Sequence, residues 1–126
     1  MTATAARRTS PQSAVAVHRL HGAAARVAPD ATAFGLRRDQ FMVEIIAAWE
    51  PGGGDDGGAA HRAWARELWR DLAPFALPGG YANLLGPDDR AQAADAYGGN
   101  AARLLAAKRR YDPDGAFASA IPLPGG

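Results

Sequence analysis

Residues 42–49, MVEIIAAW, form the one strongly apolar run in a chain of 126 residues, and they limit its fold more than any other stretch. The run is far too short to cross a bilayer, which takes about 20 apolar residues in a helix, and Glu44 interrupts it. Read together with Phe41, the run alternates. Phe41, Val43, Ile45, Ala47 and Trp49 face one way, and Met42, Glu44, Ile46 and Ala48 the other. That alternation predicts a β-strand. Both of its faces are mostly apolar, so the strand is expected inside a sheet covered on two sides.

Glycine and proline punctuate the rest of the chain. Residues 1–12 read as a floppy lead-in ended by Pro11, and residues 13–20, SAVAVHRL, as a short strand carrying Val15 and Val17. Gly22, Pro29 and Gly35 divide the following stretch into loops and short extended pieces. The loop EPGGGDDGG at 50–58 holds Asp55 and Asp56. Carboxylates on so glycine-rich a loop read as solvated charges, because nothing there fixes a metal or acid–base geometry. Residues 59–75 place Trp64, Leu68 and Leu72 at helical spacing, widened by Ala65 and Trp69, which predicts an amphipathic helix stopped by Pro74.

Residues 81–85, YANLL, read as a brief strand or extended connection, and Gly86-Pro87-Asp88-Asp89 as a helix start. Gly98-Gly99 breaks that helix, and Asn100 suits the N-cap of the next. The buried side of this last helix is expected to carry Ala101, Leu104, Leu105, Lys108 and Tyr111, with the Lys108 methylenes on the core and its ammonium in water. Arg109 and Arg110 favour the negative end of the helix dipole. Arg103, in the first turn, opposes it and calls for a tertiary partner. Pro113 and Gly115 end the helix before an extended tail.

Composition narrows the function classes. With 48% hydrophobic and 21% charged residues, the chain is globular and sized for one modest domain. Lys and Arg number 14 against 13 Asp and Glu, a net charge of +1, which gives no electrostatic reason to expect a nucleic acid or a membrane as partner. With no cysteine there are no disulfides, thiolate metal sites or cysteine nucleophiles, a pattern that suits the cytoplasm. MTATAARRTS has two arginines but no apolar stretch behind them, so no secretory signal is expected. His18 and His21 are separated by two residues without a convincing helix or an obvious third ligand, His61 reads as a helix-surface residue, and no metal is expected. Ser10, Ser13 and Ser119 lie near the two ends, outside any nucleophile elbow. The glycines at 52–54 precede no Lys-Ser/Thr and make no phosphate loop.

One ordered set of motifs goes further. Tyr81-x-Asn83 within YANLLG, then Tyr97-Gly98-x-Asn100, Arg103-Leu104, Lys108 and Tyr111-Asp112-Pro113, with Phe117 and Ile121 after, resembles the C-terminal signature of the berberine-bridge-enzyme-like FAD-linked oxidases. GAAARVAPDATAFGLR and FMVEIIAAW are similar to what these enzymes carry just upstream, so the resemblance covers roughly residues 13–123. It departs in two places: His21 stands where the family tends to have a glycine, and Asp114-Gly115 replaces the usual x-Asn. Nothing in the chain resembles the family's Arg-Ser-Gly-Gly-His flavin-attachment stretch.

The resemblance implies an α+β chain, a short antiparallel sheet portion flanked by about three helices. Residues 13–80 would be part of a substrate domain and residues 81–126 the C-terminal berberine-bridge-like segment. It implies a portion of an FAD-dependent oxidoreductase that transfers hydride from an alcohol-type or related small-molecule substrate to flavin. Lacking the FAD-binding domain, the chain is expected to be inactive alone and to need a flavin-binding partner chain or self-association. The alternative is a stand-alone interaction or small-ligand-binding module derived from that fold without redox activity. By the same resemblance Tyr81 is the catalytic candidate, as base or orienter, and Asn83 the cofactor-binding one. A phenol titrates near 10, so Tyr81 works as a base only where cations or hydrogen bonds hold its phenolate. Tyr81 could instead close a turn after Pro78-Gly79-Gly80, and Asn83 could bond its own backbone in that turn.

Overall fold

A computed structural model describes residues 3–52, 57–86, 89–117 and 123. Asp55, Asp56, Pro87, Asp88, Ser119 and Ile121 lie outside the described residues. The fold class is α+β, as expected. Among the described residues five helices, α1 (Ala3–Ala6), α2 (Ala23–Arg26), α3 (Ala59–Leu72), α4 (Arg90–Ala96) and α5 (Ala101–Tyr111), accompany two strands, β1 (Ala14–Leu20) and β2 (Gln40–Ile46). The three longer helices are those the sequence predicts, and α1 and α2 add a single turn each.

The strands pair in a two-stranded sheet. Ser13 bonds Ala48 at one end, its hydroxyl donating to the Ala48 carbonyl at 3.1 Å and accepting its N–H at 3.2 Å. His18 Nε2 meets Glu44 Oε2 at 3.3 Å further along, so residue numbers rise on one strand as they fall on the other, and the pair is antiparallel. The expectation that 41–49 is covered on two sides does not hold within this chain. Phe41 is 67% and Val43 45% exposed on one face, and Ile46 is 37% exposed on the other. Among the described residues the two strands pair only with each other.

The chain forms two compact units, and each strand changes unit along its length. The first unit combines Met1–His18 with Val43–Leu77. Its core is the α3 stripe, where Trp64 and Leu68 are buried. Trp69, expected to widen that stripe, is 47% exposed instead. Residues read as a floppy lead-in contain α1, which packs on α3. Trp64 Nε1 donates to the Thr4 carbonyl at 2.9 Å and the Thr4 hydroxyl to Asp71 Oδ2 at 2.5 Å, satisfying polar groups that the packing buries. No apolar period announces this turn, because polar groups hold it. Pro74 ends α3 as expected, in a 3-10 turn at Ala73–Phe75.

The second unit combines Arg19–Met42 with Pro78–Gly126. Its buried apolar residues are small, Ala93 and Ala96 of α4. Residues 81–85 form no strand: Ala82–Leu84 is a 3-10 turn. Asn100 precedes α5 but makes no side-chain cap, and Tyr111, assigned to the buried side, is 75% exposed. The Lys108 ammonium is not left to water. It donates to the Asp112 carboxylate and to the Phe117 carbonyl. Arg103 has no ion pair or hydrogen bond among the described residues, so the partner expected for it is not found there.

Candidate functional site

Tyr81 stands where the chain leaves Pro78-Gly79-Gly80 and enters the 3-10 turn. Gly79 has φ +90°, and a Cβ there would sit 2.8 Å from the Asp95 carbonyl oxygen. Only glycine lets the backbone lie so close to the end of α4, and this crossing fixes the approach of Tyr81. The turn closes with Leu84 N–H donating to the Tyr81 carbonyl at 2.9 Å. It thereby swings Asn83 back over Tyr81, whose phenol oxygen accepts from Asn83 Nδ2 at 3.1 Å. The two candidates read from the sequence are therefore brought together.

Tyr81 is 39% exposed, neither core nor free in solvent. The edge-to-face ring of Phe34 holds it, with centroids 5.7 Å apart at 88°. The Arg37 guanidinium lies 4.9 Å from the centroid of Phe34. Arg37 is itself fixed by three donations: Nε to the Phe34 carbonyl at 3.1 Å, one terminal nitrogen to the Ala24 carbonyl at 3.3 Å and the other to Thr32 Oγ1 at 2.8 Å. All of these acceptors are neutral, so the cation keeps its charge uncompensated by any carboxylate among the described residues.

This arrangement offers a defined set of groups. Because the phenol oxygen accepts from Asn83, the phenol hydrogen stays available to donate, and the Asn83 carbonyl oxygen has no partner among the described residues. A donor and an acceptor side by side, next to paired aromatic rings, fit one edge of a flat heteroaromatic group such as an isoalloxazine. They do not supply a phosphate cradle, so the residues in hand fit an edge contact with FAD and not the whole cofactor. Sequence reasoning missed the contacts of Phe34 and Arg37 beside Tyr81. Phe34 and Arg37 fall in AFGLR, a stretch without period, and the motif resemblance was the one signal there.

Some other ionisable groups pair with one another. Arg19 bonds both oxygens of Asp39, at 3.0 and 3.3 Å, which holds the Asp39 carboxyl below its usual range and raises Arg19. His18 is taken by Glu44. No group of three or more His, Cys, Asp or Glu suited to a metal occurs among the described residues. In the first unit a pocket of about 260 Å³ is bordered by Thr9, Gln12, Trp49, Glu50 and His61. Its polar groups satisfy one another: Thr9 with His61 at 2.7 Å and Gln12 with Glu50 at 2.6 Å, while His61 stacks on Trp49.

Comparison with known proteins finds a likeness in the stretch that carries Tyr81. Residues 80–124, which bear Tyr81, Asn83 and Asn100, match the protein family described as berberine and berberine like. Over 98 residues, 76% of the chain, it is 35% identical to the uncharacterized FAD-linked oxidoreductase YvdP of Bacillus subtilis (strain 168). The chain spans about a fifth, 21%, of the length of that relative. The resemblance read from the motifs is thus borne out. No helix among the described residues is long and apolar enough to cross a membrane.

Proposed function

We propose that this chain is the C-terminal portion of an FAD-dependent oxidoreductase, oxidising an alcohol-type or related small molecule in the cytoplasm. The observation that carries the reading is the Tyr81–Asn83 hydrogen bond, within the residues that match the berberine-like family. FAD, when bound, would supply the acceptor for the substrate's hydride. Tyr81 would orient the substrate hydroxyl through its phenol or, once its own proton has been lost to solvent, take as phenolate the proton that hydroxyl releases. Asn83 would hold the phenol oxygen in place and present its own carbonyl oxygen to cofactor or substrate. Phe34 would keep water from one edge of the phenol ring. The flavin-binding half would come from sequence outside these residues, and the segment would not turn over substrate without it.

The test is kinetic and spectroscopic. In the flavin-loaded assembly, Tyr81→Phe should lower kcat on the order of 10²-fold or more while the flavin's visible bands remain. Undiminished turnover would remove the role of Tyr81.

A second reading, an interaction module without redox activity, draws support from the exposure of Val17, Phe41 and Val43 on the ribbon. It expects a colourless chain of defined size in gel filtration after expression in a flavin-replete host, whether alone, self-associated or with a partner.

A further inference from the structure

Asn100 is 7% exposed and does not serve the helix it precedes. Its amide nitrogen reaches back across the chain and donates to two backbone carbonyls, Pro29 at 2.8 Å and Thr32 at 3.1 Å. An amide nitrogen has two hydrogens, so both are spent on one loop. The loop has been shaped to receive them: a Cβ on Gly35 would lie 3.1 Å from Asn100 Nδ2 and 3.3 Å from the Tyr97 carbonyl.

The bonded loop is the one that holds Phe34. The Thr32 hydroxyl donates to the Phe34 carbonyl at 3.4 Å and accepts from Arg37, which also donates to that carbonyl and covers the Phe34 ring. The edge of Phe34 in turn meets Tyr81. From this connection we infer that Asn100 is a positioning residue for Tyr81. It acts through the 29–35 loop and Phe34 and makes no contact of its own with the phenol. The inference rests on the proposed role of Tyr81 for its catalytic meaning, although the connection itself can be tested without it. It also accounts for the Tyr97-Gly-x-Asn100 motif: Gly98, at φ +49°, and the 3-10 turn Gly98–Asn100 turn this amide toward the loop instead of letting it cap α5.

The experiment is NMR on the full chain with labelled aromatic residues, read at the Phe34–Tyr81 cross-peak, with the Tyr111 ring as an internal reference. Asn100→Asp keeps the size of the side chain and removes both donors. The cross-peak should be lost and Tyr81 should shift, while Tyr111 and the helical circular dichroism stay unchanged. Persistence of the cross-peak in this variant overturns the inference. Should Asn100→Asp fail to fold, Gly35→Ala decides on the same criterion, because its methyl crowds the same amide from the loop side. In the flavin-loaded assembly, Asn100→Asp should lower kcat with KM little changed, and its effect should vanish in a Tyr81→Phe background. An equal loss in both backgrounds also overturns the inference, because Asn100 would then act by another route. If instead Tyr81→Phe alone leaves turnover unchanged while the cross-peak is lost, the catalytic reading of Tyr81 fails and the positioning stands.

Discussion

Three donors converge on the carboxylate of Asp112: the Lys108 ammonium, the Ala116 N–H at 2.7 Å and the Phe117 N–H at 3.1 Å. Tyr-Asp-Pro is thus more than a helix stop, since it folds the outgoing chain back onto the last turn of α5. The bond from Lys108, helped by the backbone N–H groups of Phe117 and Ala116, holds this carboxyl below its ordinary value of 3.8, against the opposing effect of burial. The folded state therefore favours the ionised form. Its contribution to stability is complete above the ordinary value and disappears as pH falls through the lower folded one. Asp112→Asn should lower the melting temperature at neutral pH, and the gap from the parent should close in acid. A gap that persists unchanged in acid would count against this account. Sequence period placed Lys108 and Tyr111 on one face of α5 but could not say how far the packing extends along it. Tyr111 lies beyond that limit and Lys108 finds a specific acceptor. Asn100 was legible as a helix-start residue by type, yet its partners lie 68 and 71 residues away, a distance that no local rule covers.

At the scale of elements, α3 was the most readable. Its i, i+4 spacing set Trp64 and Leu68 inward, and both are buried. Leu68 is 1% exposed, so Leu68→Ala should cost about 2–5 kcal/mol, measured by urea unfolding of the two chains. A cost below about 1 kcal/mol would mean that the site collapses around the smaller residue, or that the stripe is not the core. Strand β2 was legible as a strand and not as to what covers it. Alternation reports which residues share a face, whereas the layers above each face come from other sequence. The 3-10 turn at Ala82–Leu84 escaped because its three residues are too few to show a period. The Tyr81–Asn83 pairing depends on that turn, so the sequence named both members of the site without the geometry that joins them.

For the molecule as a whole, the ribbon carries apolar side chains open to solvent, Val17 at 61%, Phe41 at 67% and Val43 at 45% exposure. In the chain by itself, Phe41→Ser should change stability by no more than about 0.5 kcal/mol, since the ring is 67% exposed. It should also reduce self-association in gel filtration at high concentration. A destabilisation of about 2 kcal/mol or more that grows with protein concentration would show that the face is already covered by a second copy. The likeness of residues 80–124 to the berberine-like family was legible because several weak motifs occur in order, even though no single one of them is specific.

The division of the chain into two units also sorts its chromophores. Trp49, Trp64 and Trp69, its three tryptophans, all fall in Val43–Leu77, and Tyr81, Tyr97 and Tyr111, its three tyrosines, all fall in Pro78–Gly126. Indole emission excited at the red edge of the absorption band therefore reports on one unit, and the tyrosine features of the second-derivative absorbance spectrum on the other, without any label. Unfolding curves recorded by the two signals would coincide if the chain melts cooperatively and separate if each unit melts alone. The chain has a two-colour readout of its own folding built into its aromatic residues.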